Sequence, residues 1–146
     1  MKTLVSRVAL ATVLLSSSLL AVAADGIPRT PAPKGAEVEI LSPKDGATVD
    51  KTFTVKFGMK GLELKPAGDA TPNSGHHHLL VDQKELPDPS LPIPATEQVI
   101  HYGKAQTETQ LTLAPGKHTL QLVAGDKIHM QFEPTVASKV ITVNVK

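Results

Sequence analysis

Apolar residues recur at every second position in several short windows of the chain. Val38 and Ile40 alternate with acids in VEILSP (38–43), Phe53, Val55 and Phe57 with polar residues in TFTVKFG (52–58), and Leu120, Leu122 and Ala124 in HTLQLVA (118–124). A period of two is the signature of a strand with one face on a core. The same reading makes strands of HHHLLVD (76–82), QVIHY (98–102), TETQLTL (107–113) and SKVITVNV (138–145). No window holds a helical period. Turn residues such as Pro43-Lys44-Asp45-Gly46 separate the windows, and seven short strands between Gly and Pro turns predict an all-β fold, an immunoglobulin-like Greek-key β-sandwich of about seven strands. A small barrel or another Greek key would use the same pattern.

Two connections are long. Residues 59–75 hold MKGLELKPAGDATPNS, and residues 83–97 hold Pro87, Pro89, Pro92 and Pro94. Long ordered connections in a compact domain often carry function. At the other extreme, residues 1–24 have a basic start (Lys2, Arg7), an apolar centre and small residues at 21–24. That is the layout of a cleavable secretory signal peptide, and it predicts export to the periplasm. Residues 25–36, DGIPRTPAPKGA, carry three prolines and no apolar period, so they read as an extended tether before a single domain at 37–146.

Composition narrows the function classes. Removing 1–24 leaves 13 basic against 14 acidic residues, which argues against a nucleic-acid partner. No second segment is long and apolar enough to span a membrane, so the mature chain is expected to have no membrane span. The absence of cysteine rules out disulfides, thiolate metal sites and cysteine nucleophiles together. With three phenylalanines, one tyrosine and no tryptophan, the core must be built from Val, Leu and Ile.

The candidate chemistry lies in the histidines, six in all, three of them consecutive in SGHHHLL (74–80). If the strands run up and down, the connections alternate between the two ends of the sandwich. His76, His77 and His78, His101, and His129 in GDKIHMQFEP then fall at one end, together with Met59 and Met130. Within its strand His77 shares a face with Leu79 and Val81, so it reads as a buried structural histidine. His76 and His78 share the other face, with imidazoles roughly 6–7 Å apart, and one ion could bridge them with a third ligand from a loop. His76, His78 and His129 are the expected metal ligands, with His101, Met130 and Met59 as supplementary ones. Imidazole with thioether suits copper, and imidazole alone also accepts zinc or nickel. His118 stands at the opposite end, where a bond back to the preceding turn would make it structural.

Tyr102, Gly103 and Gln106 lie beside the same end and are candidates for recognising a ligand or partner. Asp82, Glu85, Asp88 and Glu97 sit in or near the proline-rich connector, where solvated carboxylates are expected, and no nucleophile elbow surrounds Ser74. The pattern therefore favours a binding protein over an enzyme. The main alternative to a metal carrier is a binding or scaffolding module for cell-envelope partners, a protein or peptidoglycan, whose histidines are structural.

Three stretches, GHHHLLVD, IHYGKAQTETQLTLAPGKHTLQLVAGD and the closing SKVITVNV, resemble a bacterial periplasmic family, domain-of-unknown-function family 4399, over about Val38 to Val145. The resemblance implies a small exported β domain with a histidine-containing loop after the HTLQL strand. It also implies a second histidine shortly after the one matching His129, and here Phe132 stands in that place.

Overall fold

A computed structural model describes residues 26–146; the expected signal peptide lies outside the described residues. Nine strands follow in order: β1 (Glu37–Ser42), β2 (Thr48–Val49), β3 (Thr52–Lys60), β4 (Glu63–Leu64), β5 (Ser74–Val81), β6 (Val99–Tyr102), β7 (Glu108–Thr112), β8 (Gly116–Gly125) and β9 (Ile141–Val145). All seven expected strands form; β2 and β4 are two-residue additions. One sheet has the order β1-β3-β7, and the other runs β2-β9-β8-β5-β4 with β6 also paired to β5. The molecule is an all-β sandwich of immunoglobulin-like type.

Alternation explains which side chains meet between the sheets. Val55 and Phe57 from β3 and Val38 and Ile40 from β1 face Leu79, Val81, Leu120, Leu122, Ala124 and Val143 from the larger sheet, all in one buried cluster. Each fully buried leucine contributes about 1.5–3 kcal/mol by leaving water.

β5 departs from the half-buried pattern, since all eight of its residues are buried. Its second face carries His76, His78 and Leu80. Leu80 packs with Ile93, Val99 and Val123 in a separate apolar cluster, flanked by Leu86 and Ala137. The proline-rich segment 83–97 therefore lies over the outer face of the larger sheet, while residues 131–138 pair edge-on with the end of β8.

Residues 29–33 are extended but do not hang free as a tether. The Ala32 amide donates to the Glu133 carbonyl and the Glu133 amide to the Thr30 carbonyl, 2.8 and 2.9 Å, so this segment lies alongside the chain that follows His129. The physical reason is Arg29. Its guanidinium satisfies the backbone carbonyls of Gln131 and Phe132, the Thr135 hydroxyl and the Glu133 carboxylate.

Candidate metal centre

Three of the site histidines are placed by the sheet itself. His78 stands opposite His101 of β6 and opposite Val123 of β8, and His76 is two residues along on the same face. The rings lean together more than an ideal strand requires: His76 and His78 have centroids 4.8 Å apart. His129 arrives from the turn after β8, in the left-handed region at φ 67°, a conformation that short polar residues and histidine tolerate best. The six separations among the rings of His76, His78, His101 and His129 run from 4.7 to 6.0 Å. Four imidazoles thus form one cluster.

Two glycines make room for it. A Cβ on Gly125 would lie 2.6 Å from Cε1 of His78, and one on Gly103 would lie 2.3 Å from Cε1 of His101. Gly103, expected to recognise a ligand, instead leaves space for the His101 ring.

Asp126, which the spacing of histidines alone did not single out, holds the turn. One carboxylate oxygen accepts from the amides of Ile128 and Met130 at 3.0 and 2.9 Å. The other accepts from the Thr30 hydroxyl at 2.6 Å. The Asp126 amide donates to the Met130 carbonyl and the His129 amide to the Asp126 carbonyl, both 2.9 Å, while the His129 carbonyl accepts from Ile93 at 2.8 Å. The only hint in the sequence was the Gly125-Asp126-Lys127 turn.

The chemistry of the cluster follows from its burial. His76 and His78 are 1% and 0% exposed. Burial, then repulsion from His101 and His129, holds the His76 imidazole down to about 4. Burial, with the neighbouring histidines adding to it, holds His78 down to about 2. His101 is also lowered, by burial first and His129 second. At neutral pH these rings are uncharged bases with free lone pairs. His76 Nε2 and both ring nitrogens of His78 are buried without a hydrogen-bond partner, and an orphaned buried polar atom costs about 1–3 kcal/mol. His76, His78 and His101 each bring one ligand nitrogen to within 4.8 Å of the others. Nε2 of His129 lies 3.2 Å from Nε2 of His101, close to the edge, about 3.3 Å, of a nitrogen tetrahedron around an ion bonded at 2.0–2.1 Å.

The other expected residues are elsewhere. Met59 belongs to the β1-β3-β7 sheet and packs against the core cluster, so the larger sheet separates it from the outer-face histidines. Met130 is fully buried in the Asp126 turn. Tyr102, expected to meet a ligand, is a core residue instead: its register with His77 points it inward, and its ring lies 5.1 Å from Phe57. Gln106 only closes a local turn, its side-chain oxygen accepting from the Lys104 amide at 2.7 Å. His77 faces the core, 5.2 Å from the Phe57 ring, and burial holds it down to about 4. His118 is at the far end, bonded to Asp82 at 2.7 Å and to the Ala114 carbonyl at 2.8 Å. Phe132 lies in the core cluster against Gly75. A histidine in that place would sit on the core face, and the four imidazoles meet without it.

The model of the family described as a domain of unknown function, DUF4399, matches residues 55–146. The chain belongs to this family. All six histidines of the chain fall within the part that matches the DUF4399 domain. Among solved structures, the chain is similar to the endo-β-1,4-mannanase from Thermotoga petrophila, at 17% identity and TM-score 0.45, covering 76% of this chain and 20% of that one. The fibronectin(III)-like modules of CbhA from Clostridium thermocellum match at 17% identity and TM-score 0.38, covering 74% and 92%. Comparison with curated proteins gives no match. Among the described residues of the DUF4399 domain no helix is long and apolar enough to cross a membrane.

Proposed function

We propose that the domain binds one divalent transition-metal ion through His76, His78, His101 and His129, and that it does so after export to the periplasm. One observation carries the reading. Ring nitrogens of His76 and His78 are buried with nothing to bond to, yet they converge with His101 to within 4.8 Å. An ion would take one nitrogen from each ring at once, the other His78 nitrogen keeping the N–H, and the depressed basicity of His76, His78 and His101 keeps protons from competing for the lone pairs.

The donor set favours Cu(II), followed by Zn(II) and Ni(II). It is all imidazole, and copper stands highest in affinity among the divalent first-row ions at nitrogen sites. Without Met59 the case for Cu(I) loses a thioether. Export is supported by the basic, apolar, small-residue order of residues 1–24, and the oxidising compartment it implies keeps copper divalent. A site of two buried and two half-buried rings suits holding or carrying an ion.

Calorimetric titration of the chelator-stripped domain with Cu(II), Zn(II) and Ni(II) tests this. One-to-one binding lost in His76→Ala/His129→Ala is the expected result. Binding no tighter than about 100 μM, roughly −5.5 kcal/mol, would sink the metal reading. It would leave a module for envelope partners in which the same substitutions only lower the melting temperature.

A further inference from the structure

The four imidazoles differ in how they are held. His76, His78 and His101 rise from paired strands, His78 with a partner strand on each side and His76 and His101 with one. His129 stands on a turn in a left-handed conformation, which the surroundings must enforce because it is intrinsically unfavourable for a side-chain-bearing residue. The enforcing group is the Asp126 carboxylate. One of its oxygens caps the amides of Ile128 and Met130, and the other is held by the Thr30 hydroxyl at 2.6 Å, 96 residues away along the chain.

Thr30 is itself held on both sides. Its carbonyl accepts from the Glu133 amide, and its neighbour Arg29 donates to the carbonyls of Gln131 and Phe132 and to the hydroxyl of Thr135. Gln131 extends the network to the covering loop: its side-chain amide donates to the Pro87 carbonyl at 2.7 Å, and its side-chain oxygen accepts from Thr135 at 3.1 Å. Residues 29–33 thus touch both flanks of the turn that carries His129.

We infer that this N-terminal segment is a clasp that fixes His129 as the fourth ligand, with Thr30 and Asp126 as its positioning residues. The inference rests on the metal-site reading. An undocked segment releases the second Asp126 oxygen and the chain at 131–135, so the carboxylate that caps the Ile128 and Met130 amides loses its anchor and holds the turn less firmly in its left-handed conformation. The site is left with the three sheet-borne imidazoles and an open position for solvent. Ion retention and docking of the N-terminal segment are thereby coupled. Supporting groups that orient a ligand are commonly worth ten- to hundredfold in metal affinity.

The test uses Thr30→Val, which keeps the β-branched shape and removes the hydroxyl, and Thr30→Ser, which restores it. Cu(II) affinity is measured by calorimetry, and the number of bound imidazoles by electron spin-echo modulation. Expected are four imidazoles in wild type and Thr30→Ser, three in Thr30→Val with about tenfold weaker binding, and no further loss when Thr30→Val is added to His129→Ala. Four imidazoles and unchanged affinity in Thr30→Val, or additive losses in the double variant, overturn the clasp while leaving the metal site standing. Absence of Cu(II) binding by wild type overturns the site and the clasp together. Asp126→Ala, which removes the local caps as well as the bond to Thr30, should weaken Cu(II) binding at least as much as Thr30→Val.

Discussion

His118 shows what one residue can reveal and what it cannot. Its two ring nitrogens face two acceptors, the Asp82 carboxylate and the Ala114 carbonyl, and only an imidazolium donates to both. Its basicity is accordingly raised above the ordinary 6.5, by the Asp82 hydrogen bond first. A raised folded value gives stability that is complete below about pH 6.5 and fades as pH climbs through the folded value. Replacing His118 with Gln should therefore cost about 1 kcal/mol at pH 5.5, after allowance for the exposed Asp82, and clearly less at pH 9. Urea unfolding of both proteins at the two pH values checks it, and an equal loss at both would count against the ion pair. A bond from His118 to the preceding turn was readable from PGKHTLQL. Asp82, 36 residues earlier, was not, because local spacing carries no information about which side chains a sheet brings together. The same limit hid Asp126 and Thr30, whereas the inward turn of His77 followed directly from alternation.

Between elements, the decisive relation is the one between β5 and the loop over it. A strand buried on both faces cannot display the half-polar alternation by which strands are recognised. HHHLLV was legible as a strand, but its second face was expected at an open end of the sandwich. The prolines at 87, 89, 92 and 94 pointed to a long connection without saying where it lay. In the folded chain Ile93 is 5% exposed, packs with Leu80, Val99 and Val123, and donates its amide to the His129 carbonyl. Truncating it to Ala should leave a cavity costing about 2–5 kcal/mol, seen as a lower denaturant midpoint at unchanged slope. A loss within about 0.5 kcal/mol, the range of ordinary surface substitutions, would show that the loop does not seal the outer face.

At the scale of the whole molecule, an ion would join parts far apart in sequence: β5, β6, the turn after β8 and, through Thr30, the N-terminal segment. An ion that binds only the folded chain adds stability by mass action. Free Cu(II) at a hundred times its dissociation constant should add about 2.7 kcal/mol and raise the melting temperature of a domain this size by roughly 10 °C. A chelator should reverse the shift, and His78→Ala should abolish it. A melting temperature indifferent to the ion would mean that the cluster does not hold one.

The sequence by itself determined the seven main strands, the class of sandwich, the sorting of His77 from His76 and His78, and the absence of thiolate chemistry. These depend on side-chain type and on a period of two, both local. Only the tertiary structure decided that the 83–97 loop covers the outer face, that half-buried His101 and His129 meet the buried His76 and His78 while Met59 and Tyr102 turn to the core, that Gly103 and Gly125 give the rings their room, and that residues 29–33 are docked. Each of these depends on which surfaces meet when the sheets pack. That is set by the burial of the whole chain and by hydrogen bonds spanning about a hundred residues, which no short window contains.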